Sequence, residues 1–109
     1  MKKRFHVEVS PETQRDVTKL NDFIAKKCSA PLTAKRYHAG LIREMKKLEK
    51  DALLAVVEPE LSEQYGEEIR RVRYKEMTIL YSVRGDEVYI QRIRPQSMII
   101  FYVDNQNKN

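Results

Sequence analysis

The sequence predicts an α+β domain: an N-terminal strand, a helical hairpin, then antiparallel strands forming one sheet, with the helices packed on one face. Three observations carry this. Residues 5–9 and 68–94 alternate apolar and polar side chains with the period of half-buried strands. Between them, apolar side chains recur at helical spacing on either side of a proline break. Gly85-Asp86 then separates two alternating runs as a two-residue hairpin turn. The 109 residues are expected to make a single domain over 1–109, enough to bury roughly two-thirds of the surface that the unfolded chain exposes.

In the first strand, Phe5, Val7 and Val9 face one way and His6 and Glu8 the other. Ser10, Pro11 and Glu12 start a helix: a hydroxyl cap, a ring whose φ suits the first helical position, and an acid near the positive end of the helix dipole. Val17, Leu20, Phe23, Ile24 and Cys28 set one helix over about 11–28. Pro31 disfavours helix at Ala30 and ends it. A second helix follows, with Ala34, Leu41 and Leu48 in one heptad phase and His38 and Met45 in another. Its outer face is basic: Lys35, Arg36, Arg43, Lys46, Lys47 and Lys50. The run DALLAVVEPELSEQYG either extends this helix or forms a short piece after it, and Pro59 and Gly66 mark the connection to the sheet. Strands are expected at about 68–74, 77–83 and 87–94, with Lys75-Glu76 a compositionally poor turn between the first two. The polar end, about 103–109, is expected to fray.

The net charge of +5 is unevenly spread. Residues 1–50 carry 13 Lys/Arg against 6 Asp/Glu, residues 51–68 carry six acids and no base, and residues 69–109 carry 8 Lys/Arg against 4 Asp/Glu. Two basic blocks around an acidic connector fit an anionic partner, nucleic acid or acidic protein, or else a solvated basic surface. No apolar run is long enough to span a membrane, and the start lacks the apolar core of a signal peptide. With Cys28 as the single cysteine, disulfides do not hold the fold, and a reducing cytoplasm is the expected location. His6 and His38 lie on different elements, so no metal or other cofactor is expected. Arg84-Gly85-Asp86 reads as a turn.

Centring the hairpins on their turns pairs Val83 with Val88, Tyr81 with Ile90, Ile79 with Arg92, Val72 with Ile79 and Arg73 with Thr78. One face then holds Val72, Tyr74, Met77, Ile79, Tyr81, Val83, Val88 and Ile90, the side for the helices to cover. The other holds Ile69, Arg71, Arg73, Thr78, Leu80, Ser82, Tyr89, Gln91 and Ile93. Arginine suits phosphate through a planar, permanently charged fork, and tyrosine beside it can stack on a base. The other sheet arginines, Arg70, Arg84, Arg92 and Arg94, fall at ends, at the turn or on the opposite face.

These elements also resemble a family. The order V-x-V-S-P-E, D-x-x-x-L-x-D-F-I, P-x-x-A-x-x-Y-x-x-x-L-x-x-x-M-x-x-L, then I-R-R-V-R-Y, T-I-L-Y-S-V and V-Y-I-Q-R-I, resembles the RelE/ParE toxins of bacterial type II toxin–antitoxin systems over roughly residues 4–99. The resemblance implies the same α+β fold and a cognate antitoxin as partner in a hetero-oligomer. RelE-like members enter the ribosome and cut mRNA without a metal, using the RNA's own 2′-hydroxyl as nucleophile. ParE-like members poison DNA gyrase and are not hydrolases. A degenerate toxin that only binds its antitoxin is a third reading.

Under the RNA-cleaving reading, which the sequence favours slightly, Arg73 falls where RelE-like enzymes place an arginine on the scissile phosphate. Its role would be electrostatic, worth a few kcal/mol when preorganised, with Arg71 and Tyr89 completing the candidate catalytic set. Candidate nucleic-acid contacts are Lys46, Lys47, Lys50, Arg92 and Arg94. The lysines could equally form a solvated helix face, and the two arginines could equally pair with the acidic connector. After the last strand the match departs from the family. Many ParE-like members end in an H-x-S-R type motif, whereas here Pro95 takes the histidine position, Ser97 is kept and Met98 takes the arginine position. Tyr102 is within chain reach of the cleft, but no general acid or base is identified.

Overall fold

The computed structural model describes residues 4–95. The expectations for Ser97, Met98, Tyr102 and the 103–109 tail lie outside the described residues. Five strands form one mixed sheet in the order β1-β5-β4-β3-β2. They are β1 (His6–Val9), β2 (Val56–Val57), β3 (Arg70–Tyr74), β4 (Met77–Arg84) and β5 (Glu87–Pro95). The helices are α1 (Pro11–Asp22), α2 (Pro31–Asp51) and α3 (Pro59–Tyr65).

The predicted helix start is present: the Ser10 Oγ accepts from the Thr13 N–H at 3.0 Å, Pro11 opens α1 and Glu12 lies in its first turn. The helix does not stay α-helical to residue 28 as expected. Phe23–Lys27 form a π-helical turn, and Ser29, at φ +50°, closes it before Pro31. Cys28 is exposed there instead of packing as a helix-end hydrophobe. On α2, Leu41, Met45 and Leu48 meet the sheet and the buried Ala34 lies beside Val17, Leu20 and Ile24 of the first helical segment, whereas His38 stays exposed. The core consists of Leu41, Met45 and Leu48 against Phe5, Ile79, Tyr81, Val88, Ile90 and Ile93.

The acidic connector does not extend α2 but forms short pieces after it, the other alternative the sequence allowed. It contributes β2, which pairs antiparallel with β3, and the short α3, which ends at Gly66 (φ +72°). Leu61 of α3 packs on Ile69 and Leu80, on the sheet face opposite the helical hairpin. The buried Tyr81 hydroxyl donates to the Ala52 carbonyl at 2.7 Å, and Arg70 donates to the Leu53 and Ala55 carbonyls at 3.2 and 2.8 Å. The loop leaving α2 is thereby tied down through its backbone acceptors.

Both hairpin turns sit where the sequence places them. Gly85 takes φ +60°, and Lys75 takes φ +52°, a conformation rare outside glycine. Val72 lies opposite Ile79, Arg73 opposite Thr78, Val83 opposite Val88 and Tyr81 opposite Ile90, all as expected. The expected pairing of Ile79 with Arg92 is wrong. A β-bulge shifts the register between Leu80 and Tyr81, so Leu80 faces Arg92 and Ile79 faces Ile93. The extra residue is Gln91, and beyond it β5 presents its other side chains to each face. Ile93 therefore enters the core at 2% exposure, and Arg92 and Arg94 move to the face of Arg71 and Arg73.

The strand β1 pairs parallel with β5 only as far as Val9 with Ile90. Beyond that point α1 covers the strand edge with polar side chains at i, i+3 and i+6. The Ser10 hydroxyl donates to the Gln91 carbonyl at 2.9 Å, Thr13 to the Ile90 carbonyl at 3.0 Å, and the Asp16 carboxylate accepts from the Ile93 N–H at 3.0 Å. A bare edge here would leave backbone groups unpaired and open to strand addition.

Candidate functional site

The strand register arranges the face opposite the helical hairpin in cross-strand rows. Arg73, Thr78 and Arg94 make one row, and Arg71, Leu80 and Arg92 the next. Ser82 and Tyr89 form a third row, toward the Gly85 hairpin. With neighbouring strands ~4.8 Å apart, Arg73 and Arg94 flank Thr78 with roughly 10 Å between their backbones. Four arginines thus share one corner of the sheet.

Two of the four are neutralised within the fold. Arg92 forms a two-pronged bond to Asp16 of α1, 2.9 Å on each arm. Burial alone would push the Asp16 carboxyl up. The Arg92 fork, the Ile93 N–H and the charge of Arg94 more than offset this, and Asp16 titrates below the ordinary aspartate range. The partner of Arg92 is thus Asp16 of α1 and not the acidic connector, the alternative the sequence held open. Arg71 does pair with that connector, through Glu58. The other two differ. Arg73 is exposed, and its Nε donates to the Lys75 carbonyl at 2.8 Å, which fixes the start of the fork; among the described residues no carboxylate pairs with it. Arg94 is half-buried and, among the described residues, makes no ion pair within contact distance.

Tyr89 shares the face but not the corner. It lies in the third row, with the Arg84 guanidinium 4.7 Å from its ring centroid. Arg84 in turn forks onto Glu67 at 2.9 and 2.5 Å. The Arg84 hydrogen bonds hold the Glu67 carboxyl below its ordinary range, assisted by Ser82 and Gln91. Lys46, Lys47 and Lys50 are exposed on α2, whose buried side covers the opposite sheet face. Of the residues singled out in the sequence, then, Arg73, Arg71, Arg92 and Arg94 come together, and Tyr89 and the three lysines do not.

The two rows of the corner set guanidiniums around the buried Thr78 and Leu80 side chains, with neither imidazole nor carboxylate in either row. Such a set can bind and neutralise an anion through bidentate hydrogen bonds. It supplies no group that exchanges protons near neutral pH. The sequence carried one overlooked signal of this corner. The apolar spacing Val88, Ile90, Ile93 breaks the strand period of two, which is the mark of an inserted residue. Nothing local pointed to Asp16 as the anchor.

The family model for the ParE toxin of type II toxin–antitoxin systems, parDE, matches residues 7–100. The chain belongs to that family. Among solved structures, the fold is similar to a chain of the chromosomal ParDE TA system from P. aeruginosa, with a TM-score of 0.70 at 19% sequence identity. The alignment covers 84% of this chain and 96% of that one. No curated protein sequence gives a match. The α+β architecture inferred from the sequence is that of this ParDE neighbour, with the connector resolved into β2 and α3.

Proposed function

We propose that this ParE-family toxin inhibits growth by poisoning DNA gyrase, as a binding activity without hydrolysis, and that a cognate antitoxin holds it inactive in a cytoplasmic hetero-oligomer. The observation that carries this reading is the composition of the arginine corner. Arg73 and Arg94 are left to bind an acidic or phosphate-bearing surface, while Arg71 and Arg92 serve as internal ion pairs. The RNA-cleaving reading groups Tyr89 with Arg73 and Arg71, and the place of Tyr89 a row beyond Arg71, against the Arg84 guanidinium, gives that grouping no support. The match to a ParE model supports the same side.

Two assays run together test this. Purified toxin should inhibit supercoiling by gyrase, and Arg73→Ala and Arg94→Ala should each weaken inhibition. One charge-assisted contact is worth about 1.5–3 kcal/mol, or roughly 10- to 150-fold. Cell-free translation should proceed without cut messages. Cut messages that disappear with Arg73→Ala would replace gyrase poisoning by ribosome-dependent mRNA cleavage. Unaltered growth on induction without antitoxin would leave only a degenerate, antitoxin-binding protein.

A further inference from the structure

The fold distributes its carboxylates unevenly between its two sides. On the sheet, Arg70 pairs with Glu68, Arg71 with Glu58, Arg84 with Glu67 and Arg92 with Asp16. On the outer side of α2 the pattern reverses. Arg43, Lys46, Lys47 and Lys50 lie within two helical turns, about 10 Å along the axis, and Arg4 joins them from the chain leading into β1. The five cations line a shallow depression of about 360 Å³ together with Glu49 and Asp51. Lys47 bonds Glu44 at 2.9 Å, whereas Arg4, Arg43, Lys46 and Lys50 make no ion pair among the described residues. Like charges held this close repel one another, and Glu49 and Asp51 in the depression, with Glu44 on Lys47, offset that repulsion only in part.

We propose that this α2 face is a contact surface for the phosphate backbone of duplex DNA. Lysine ammoniums are compact point charges on flexible stems, suited to phosphates and not to the bidentate reading of base edges. The contact is therefore independent of base sequence. The surface lies across the domain from the arginine corner, so one toxin can touch an enzyme with the corner and the DNA that the enzyme holds with α2. The choice of duplex DNA over other polyanions rests on the gyrase reading, whereas the cationic face itself does not.

The test is fluorescence anisotropy of the full chain with a labelled duplex of mixed sequence, from 50 to 200 mM KCl, with no gyrase present. Four phosphate contacts at a slope near −0.9 each predict that affinity falls on the order of 100-fold over that range. Replacing Lys46, Lys47 and Lys50 with Gln leaves Arg4 and Arg43 and should reduce the slope to about half of that value. Replacing the exposed Lys19, Lys26 and Lys27 with Gln removes the same charge from α1 and the π turn, and should leave the slope unchanged. Equal slopes in the two triple variants, no binding at 50 mM KCl, or tighter binding of single-stranded RNA than of the duplex would each overturn the proposal. A toxin that binds DNA in this way yet fails to inhibit gyrase would sink the proposed function and leave the surface standing.

Discussion

Gly40 lies in the interior of α2, where glycine ordinarily costs a helix about 1 kcal/mol relative to alanine. By propensity alone, Gly40→Ala should stabilise the protein. The structure predicts the opposite, because Tyr74 at the end of β3 crosses the helix at this position. A Cβ on residue 40 would overlap the Tyr74 hydroxyl oxygen and Cζ, and would approach Cε1 to 2.9 Å. The helix cannot back away easily, since Leu41, Met45 and Leu48 are at most 4% exposed against the sheet. The ring must move instead. It would leave its edge-on packing with Tyr37, at 5.1 Å between centroids and 77° between planes, and its place under the Lys75 ammonium at 5.7 Å. Overpacking of this kind costs about 1–3 kcal/mol, and the aromatic pair accounts for ~0.5–1.5 kcal/mol of that. Set against the propensity gain, Gly40→Ala should destabilise by about 1 kcal/mol net. In a Tyr74→Ala background the obstruction is gone, and the same substitution should stabilise by about 1 kcal/mol. Urea unfolding of the four proteins in a double-mutant cycle reads this change of sign directly. Stabilisation by Gly40→Ala in both backgrounds would refute the claim that Tyr74 is what excludes a side chain at residue 40.

Asp16→Asn removes the charged partner of Arg92 and should cost about 1–3 kcal/mol in urea unfolding. Asp16 and Glu67 both have folded pKa values below their ordinary ones. Their stabilisation is thus complete above the unfolded carboxylate range near pH 4 and is lost as pH falls through the folded values. A urea midpoint that drops below pH 4 in the parent, and drops less in Asp16→Asn, is the expected result. Tyr81→Phe leaves the Ala52 carbonyl without its buried donor and should cost about 1 kcal/mol. Burial pushes the Tyr81 hydroxyl up to about 12, so ultraviolet titration should show it still protonated at pH 11.

What the sequence disclosed divides along the range of the interactions involved. The cap at Ser10, the positive-φ turn at Gly85 and the core positions Leu41, Leu48, Ile79 and Ile90 follow from neighbours within a few residues, and periodicity exposes them. The turn at Lys75-Glu76 was legible too, although its composition disfavours it, because the strands on either side fix where the chain must reverse. A short piece after α2 was one of the two readings of this run, but that it is a strand and a helix was hidden, because each is held by docking: β2 against β3, and α3 through Leu61 on Ile69 and Leu80. The π turn at Phe23–Lys27 has no residue-type signature at all. Charge pairing was the least legible feature. Arg92 and Asp16 are 76 residues apart in sequence, so nothing local favours Asp16 over the many other acids. That pairing nevertheless determines which arginines of the corner remain available.

The bulge at Gln91 and the arginine corner have one structural origin. Up to Ile90, β5 is bordered by β1, and a parallel strand requires β5 to keep strict alternation. At Ser10 the chain leaves the sheet to begin α1, and from Gln91 onward the border consists of side chains from a helix. Those side chains set their own spacing: Ser10 reaches the Gln91 carbonyl, and Asp16, nearly two helical turns on, reaches the Ile93 N–H. Inserting one residue at this change of neighbour lets β5 remain paired with β4 while meeting α1 on its other edge. The same insertion turns Ile93 into the core and places Arg92 and Arg94 beside Arg71 and Arg73. Asp16 then fixes Arg92 as the wall of the corner, and Arg94, one row further from the anchor, makes no ion pair among the described residues. An uninterrupted β5 would have buried arginine where Ile93 now packs, and would have put Ile93 in the row of Arg73 and Gln91 in the row of Arg71. The site therefore depends on the place where β1 stops, which is set by the Ser10-Pro11 helix start at the other end of the chain.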